Sequence, residues 1–224
     1  MNILNFSRLK NRILRLFGQV SPSGPPLFSK VPAEIAEFDK IEGFLSSREA
    51  AALFYFASKV KNGAKIVEVG SWKGKSTYCL AKGLRDGKVF AIDPFDASGD
   101  PQAAEIYKAQ KGEEDLLLQF KKRMSDFKVL EKIEILHGFS VNFNDRFKNI
   151  DLLFIDGDHS INGCKSDFDF FAGAIVSGGF ILFHDYDPDR DELGPTWVIK
   201  NLIANNTMFK RIGLVDSLWI GKKL

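Results

Sequence analysis

The sequence lacks the features that would assign a chain of 224 residues to several common protein classes. It has two cysteines, Cys79 and Cys164, and no CxxC pair, so neither a disulfide framework nor a thiolate metal site is expected. We therefore expect a reduced, cytoplasmic protein. The longest uncharged run, Phe170–Phe183, has 14 residues, which is shorter than the roughly 20 residues that a membrane-spanning helix needs.

The chain also lacks a charge excess of either sign, since 31 Lys and Arg face 29 Asp and Glu. Proteins that bind nucleic acids through phosphates carry a large basic excess, so we expect a small-molecule acceptor and no nucleic acid. Residues 1–20 are the exception, with four basic residues and no acid, and they predict a basic amphipathic helix. Two interpretations stay open for this helix: it attaches to an anionic membrane surface, or it either caps the domain or mediates a homodimer.

Residues 21–32 predict a linker, because they hold half of the eight prolines, and residues 33–224 predict one α/β domain. The domain opens with a helix of about 15 residues, for which Ser46 and Glu49 fit a capping box. Short apolar strands then alternate with helices. The predicted strands are 65–69, 89–92, 133–136, 152–155, 180–183, 209–214 and 217–220, and the predicted helices are 76–84, 113–127, 164–176 and 196–205.

This alternation is typical of a Rossmann-like, doubly wound α/β fold. We expect a mostly parallel seven-stranded sheet with helices on both faces, and a C-terminal antiparallel hairpin.

The segment Glu68–Ser76, with the sequence EVGSWKGKS, is the most informative motif. A buried strand ends in an acid, a glycine-containing turn follows, and a helix begins. Ligands of doubly wound sheets bind beyond the carboxyl ends of the strands, where Gly70 would allow close backbone approach. Gly74 would let the helix pack near the strand, and Ser76 would cap it. The spacing matches neither GxGxxG nor the GxxxxGK[ST] phosphate loop, which disfavours dinucleotides and ATP.

This motif resembles the first motif of class I S-adenosylmethionine-dependent methyltransferases, in which the glycine turn holds the methionine part of the cofactor. Asp93, at the end of the second strand, matches the acid that binds the ribose hydroxyls in that family. The segment 137–140 (HGFS) is similar to the loop on the adenine side. The resemblance covers about residues 40–224. It implies S-adenosyl-L-methionine as cofactor and the following binding residues: Glu68, Gly70, Ser71, Trp72, Gly74, Ser76, Asp93, Ser140 and Asp156.

Acids and histidines follow the fourth and fifth strands, in the segments IDGDHS (155–160) and HDYD (184–187). We expect them to converge, because adjacent parallel strands end at the same edge of the sheet. The arrangement is similar to metal-dependent O-methyltransferases, which implies Asp156 and Asp185 as metal ligands and His159 as general base. His184 stands where the catechol-type enzymes have an acid, and it suits divalent ions softer than Mg²⁺. His184 and Asp158 are further catalytic candidates, and Asp158 is an alternative oxygen ligand.

The two segments resemble the sugar and macrolide O-methyltransferase group more than the catechol type. We therefore expect methyl transfer to a hydroxyl of a sugar or another small polyhydroxylated acceptor, with Mg²⁺ or another divalent metal as a second cofactor. Two alternatives stay open. One is an NAD-dependent sugar oxidoreductase or epimerase, and the other is a non-catalytic nucleotide-binding module of the same fold.

Overall fold

The structure, a computed structural model, describes residues 28–98 and 104–224, and a seven-stranded sheet forms its centre. The strands are β1 (Ala64–Val69), β2 (Gly87–Asp93), β3 (Ile133–His137), β4 (Ile150–Ile155), β5 (Ile175–Phe183), β6 (Phe209–Val215) and β7 (Leu218–Lys223). They lie in the order β3-β2-β1-β4-β5-β7-β6. The first five pair in parallel, and β7 runs antiparallel to β5 and β6. The predicted fold is confirmed, and the strand order reverses between β1 and β4, where such sheets bind ligands.

Helices connect the strands and cover the sheet. They are α1 (Ser47–Ala57), α2 (Lys75–Gly83), α3 (Ala104–Lys111), α4 (Leu116–Asp126), α5 (Ile161–Phe171) and α6 (Gly194–Val198), which continues into a π-helical turn at Ile199–Ile203. The predicted capping box of α1 is confirmed. The Ser46 hydroxyl accepts the Glu49 amide at 3.1 Å, and the Glu49 carboxylate accepts the Ser46 amide at 2.9 Å.

The sheet is buried on both faces, which explains why its parallel strands are continuous apolar runs. Successive residues of β1 enter different cores: Ile66 packs in the cluster under α1 and α2, whereas Val67 and Val69 pack in the cluster with Phe168 and Phe171 of α5. Much of the phenylalanine content fills these two layers. The buried pair Phe147 and Phe171, for example, meets edge to face with ring centroids 5.8 Å apart.

Three differences from the sequence-based predictions stand out. The helix predicted at 164–176 ends at Phe171, because the β-branched Ile175 begins β5 and pairs with Ile150 of β4. Helix α3 is absent from the sequence-based predictions; it has only eight residues, and none of its side chains is buried. The predicted linker reaches residue 32, but Phe28 is buried against Tyr55 and Phe56 and belongs to the core.

Several other sequence-based expectations concern the chain as a whole. The basic helix predicted within residues 1–20 lies outside the described residues, as does the linker up to residue 27. Both cysteines are buried and unbonded. Within 28–98 and 104–224, no helix combines the length and apolar character needed to cross a membrane.

Candidate active site

The glycine turn after β1 is shaped by two positions that only glycine fits. Gly70 has φ +89°, and a Cβ at this position would collide with the carbonyl oxygen of Asp156 at the end of β4. Gly74 also has φ +89°, and a Cβ there would lie 2.7 Å from Cε of Met124 and 3.0 Å from the ring of Phe120. The turn therefore packs tightly between the end of β4 and helix α4, and its backbone leaves no room for a side chain at these two positions.

Glu68 stabilises this turn through hydrogen bonds with neighbouring hydroxyl groups. Its side chain is fully buried, and its Oε2 accepts hydrogen bonds from the hydroxyls of Ser71 at 2.8 Å and Thr77 at 2.5 Å. Burial raises the pKa of Glu68 to about 7, against the opposite effect of the neighbouring hydroxyls. The prediction that Ser76 caps α2 is wrong: Gly74 occupies the cap position, and the buried Ser76 lies in the first turn, where its side chain hydrogen-bonds to Glu68. Glu68 therefore stabilises the shape of the turn, and Thr77 is a partner that the motif did not indicate.

Asp93, at the end of β2, connects the turn with the next loop. Its Oδ2 accepts the amide of Trp72 at 2.8 Å, and its Oδ1 accepts the amide of Phe95 at 2.6 Å. Burial raises the pKa of Asp93, and these amides oppose the rise. The backbone of Ser71 is a third hydrogen-bond donor to this carboxylate. The two oxygens of a carboxylate can accept about four hydrogen bonds, so one acceptor position is left for a ribose hydroxyl. Asp93 therefore fits the predicted ribose contact.

Trp72 lies in the same turn, with φ +47°, and its ring packs against Tyr107 of α3 at a centroid distance of 4.9 Å. Its indole Nε1 is buried and has no hydrogen-bond partner among the described residues. A buried N–H without an acceptor is uncommon in proteins. It suits a ligand that brings an acceptor atom to this side of the turn.

The predicted adenine-side loop is held by a buried acid that the sequence did not single out. Ser140 begins a short 3₁₀ helix after β3, and its side chain hydrogen-bonds to Asp167 of α5. Asp167 is 4% exposed, and burial raises its pKa to about 7. His137 precedes this loop and contacts the carbonyl oxygen of Pro94 at 3.0 Å. The adenine-side loop is thus fastened to α5 through Asp167.

The acids and histidines after β4 and β5 converge as predicted. Nε2 of the buried His159 lies 2.9 Å from Oδ2 of Asp185 and 3.7 Å from Oδ1 of Asp156. Nδ1 of His184 lies 3.0 Å from Oδ2 of Asp185 and 3.2 Å from Oδ1 of Asp156. Asp185 adopts φ +55°, a left-handed conformation that aspartate tolerates better than most residues.

The electrostatics of this cluster centre on His184. Burial alone would lower the pKa of His184, but Asp156, Asp185 and Glu49 together raise it well above its usual value. The pKa of Asp185 is lowered by His184 and His159, which outweigh the effect of burial. Nε2 of His184 lies 3.3 Å from Oε2 of Glu49, which is a partner in α1 that the motifs did not indicate. In the described chain the histidine is therefore surrounded by three carboxylates.

Asp158 lies at the start of α5 and faces away from this arrangement. Its Oδ1 accepts the Ser160 amide at 2.7 Å, and its carboxylate fills the space beside Gly163. These contacts stabilise the turn into α5. Its predicted catalytic role receives no support from these contacts.

Three residues of the cluster can hold a cation. One ligand atom each from Asp156, His184 and Asp185 lies within 4.8 Å of the others. Two carboxylate oxygens and one imidazole nitrogen form a donor set that suits Mn²⁺, Zn²⁺ or Co²⁺ better than Mg²⁺. The residues therefore fit a divalent metal, as the sequence predicts.

Comparison with known proteins gives the family. A family model described as a methyltransferase domain matches residues 67–186. This segment includes the glycine turn and the acid–histidine cluster, which consists of Asp156, His159, His184 and Asp185. Glu49 lies outside the matched segment. The chain belongs to this family. The expected class I methyltransferase is thereby confirmed, and neither the family nor its glycine turn favours an NAD-dependent oxidoreductase.

Individual relatives of this methyltransferase domain are distant. An uncharacterized protein of Acanthamoeba polyphaga mimivirus is 26% identical over 131 residues, which are 58% of this chain and 55% of that protein. The chain thus spans about half the length of that curated relative. The O-methyltransferase TomG from Streptomyces achromogenes, solved in complex with SAM, is 15% identical with a TM-score of 0.59, and the match covers 100% of this chain and 99% of that one.

An rRNA methylase from Streptococcus thermophilus is also similar in structure. It is 17% identical with a TM-score of 0.55, and the match covers 77% of this chain and 94% of that one. Methyltransferases named for different acceptors therefore share this fold, so the fold does not define the acceptor of this domain.

Proposed function

We propose that the protein transfers the methyl group of S-adenosyl-L-methionine to a hydroxyl oxygen of a sugar or another small polyhydroxylated acceptor. The observation that carries this proposal is the contact between the glycine turn and the acid–histidine cluster. Gly70 packs directly on the Asp156 carbonyl, and the Asp156 side chain belongs to the cluster. A donor held by the turn would thus lie next to groups able to deprotonate a hydroxyl.

The chain supplies the cofactor contacts from three strand ends. The backbone between Gly70 and Gly74 would hold the methionine part, and Asp93 would accept the ribose hydroxyls. The loop at Ser140 would border the adenine. S-adenosylmethionine brings an already activated methyl group, so the protein needs to align the acceptor oxygen with it and remove one proton.

His159 is the proposed general base. Its Nε2 lies 2.9 Å from Asp185, a distance at which a carboxylate orients the imidazole and stabilises its protonated form. The ring is almost fully buried, so its orientation is set by the protein. His159 would take the hydroxyl proton as the acceptor oxygen attacks the methyl carbon.

Asp156, His184 and Asp185 are the proposed metal ligands. A divalent metal bound there would lower the pKa of an acceptor hydroxyl and orient it. Without it, the same side chains could still bind hydroxyls, with the carboxylates as acceptors and the histidine as a donor.

The proposed acceptor class has two supports. The near-neutral charge of the chain disfavours a polyanion, and the cluster presents several hydrogen-bonding groups, as binding of a polyhydroxylated molecule requires. An RNA acceptor would call for a basic surface near the cluster, where the structure instead places three acids.

Calorimetric titration with S-adenosylhomocysteine tests the proposal first, with NAD as a parallel control and with Mg²⁺, Mn²⁺ or no metal present. Micromolar binding of S-adenosylhomocysteine alone would support it. Transfer of isotope-labelled methyl groups to a panel of sugars, catechols and RNA would then identify the acceptor class. Cofactor binding without transfer to any class would favour a non-catalytic module, and binding of NAD instead would contradict the proposal.

A further inference from the structure

We propose that Glu49 is a positioning residue of the active site, which orients His184 so that its Nδ1 faces Asp156 and Asp185. This inference rests on the proposed function, because it assigns His184 to that same site. Glu49 lies in α1, outside the matched methyltransferase segment and 135 residues away from His184 in the chain.

The Glu49 carboxylate is fixed before any ligand binds. It is 3% exposed and receives hydrogen bonds from four donors in three different segments. Its Oε1 accepts the amide of Ser217 at 2.9 Å and the Ser217 hydroxyl at 2.7 Å, both from the turn between β6 and β7. Its Oε2 accepts the Ser46 amide at 2.9 Å and faces Nε2 of His184 at 3.3 Å.

These contacts determine which edge of the imidazole faces the cluster. An N–H at Nε2 has an acceptor in Glu49, so Nδ1 is the nitrogen that lies 3.0 Å from Asp185 and 3.2 Å from Asp156. If the ring rotated by half a turn, a carbon would take the place of Nδ1 and the site would lose a nitrogen donor. Carboxylates that accept the second N–H of a ligating histidine play this orienting part in many metal sites.

Helix capping alone does not account for the arrangement. A capping box needs only the Ser46 hydroxyl and the Glu49 carboxylate, whereas this carboxylate also reaches Ser217 and His184. The capping function and the positioning function can therefore be separated. Replacing Ser46 with alanine removes the hydroxyl from the capping box and from Asp216, but leaves the Ser46 amide and both distant contacts of Glu49 in place.

The first test is nuclear magnetic resonance of the metal-free full chain with ¹⁵N-labelled histidine. The chain has three histidines, so the ring signals can be assigned with His137→Gln and His159→Gln. We expect a slowly exchanging Nε2–H signal from His184 in the wild type and in Ser46→Ala, and its loss in Glu49→Ala. If Glu49→Ala does not fold, Glu49→Gln should show faster exchange, because a neutral amide cannot accept from all four donors. An unchanged signal would overturn the proposal.

The second test is the affinity for Mn²⁺ and Co²⁺, measured by calorimetry and by the visible absorption of the Co²⁺ form. Glu49→Gln should weaken binding about 10- to 100-fold and change the Co²⁺ spectrum, while Ser46→Ala should stay within about twofold. If Glu49→Gln and Ser46→Ala lost metal affinity equally, the loss would come from the disturbed start of α1, and the proposal would be overturned. If the wild type binds no metal, the proposed metal site fails, and the resonance experiment still decides whether Glu49 positions His184.

Discussion

The raised pKa of the buried Glu68 predicts how the stability of the folded protein changes with pH. Burial raises its pKa in the folded chain to about 7, compared with 4.5 for an ordinary glutamate. Between these two values the folded state holds the proton while the unfolded state has lost it, so stability must fall as the pH rises. The contribution is complete below pH 4.5 and is lost as the pH passes through 7.

The magnitude follows from the same shift. Proton linkage gives a loss of about 2–3 kcal/mol between pH 5 and pH 8 for this single group, whose fully buried side chain is not screened by solvent. Glu68→Gln removes the titration and keeps an oxygen that can accept from Ser71 and Thr77. The variant should therefore lack this component of the pH dependence.

Urea unfolding of the two proteins between pH 5 and pH 8, followed by circular dichroism, isolates the effect as the difference in free energy of unfolding. We expect the wild type to lose about 2–3 kcal/mol relative to Glu68→Gln over this range. A difference that stays constant within about 1 kcal/mol would refute the argument. A difference of opposite sign would mean that the hydroxyls around Glu68 outweigh its burial.

Three further predictions concern the active site. His159→Ala should lower turnover about 10²- to 10⁴-fold while S-adenosylhomocysteine affinity changes little, and full activity would remove it as the base. Gly70→Ala should abolish S-adenosylhomocysteine binding and lower the melting temperature. Gly63→Ala is the matched control, because Gly63 also has a positive φ, of +71°, but has open space around it. This control should show only the milder effect of backbone strain. Asp167→Ala should weaken the affinity for S-adenosylhomocysteine about 5- to 10-fold, which is the size expected for losing the hydrogen bond to Ser140. Turnover at saturating cofactor should stay unchanged. An unaltered affinity would contradict a role for Asp167 in the adenine-side loop.

The sequence predicts the sheet well because each parallel strand contains a short apolar run, and a polar residue or a glycine stands at the end of the strand or directly after it. It predicts less where the physical signal is weak. Helix α3 has only eight residues and buries none of its side chains, so its signal in the sequence is weak. The predicted helix 164–176 closes with the apolar run Phe170–Val176, which spans the end of α5 and the start of β5, and periodicity alone cannot divide such a run.

The same contrast applies to the site. Asp156, Asp185 and His159 follow strand ends, and topology brings strand ends together, so their convergence could be predicted. Asp167 and Glu49 lie within helices, where an acid is most often exposed to solvent. Their burial depends on packing against the adenine-side loop and the β6–β7 turn, which no local pattern encodes.

Glu49 shows how a local pattern can conceal a distant role. The spacing of Ser46 and Glu49 is fully explained by helix capping, so nothing in the sequence calls for a second function. The fold then brings the β6–β7 turn and the end of β5 to the start of α1, and the carboxylate meets Ser217 and His184 there. A substitution at Glu49 should therefore combine a loss of capping with a loss at the site. Only comparison with Ser46→Ala separates the two, because this variant loses the capping hydroxyl and its bond to Asp216 but keeps the contacts of Glu49 with Ser217 and His184.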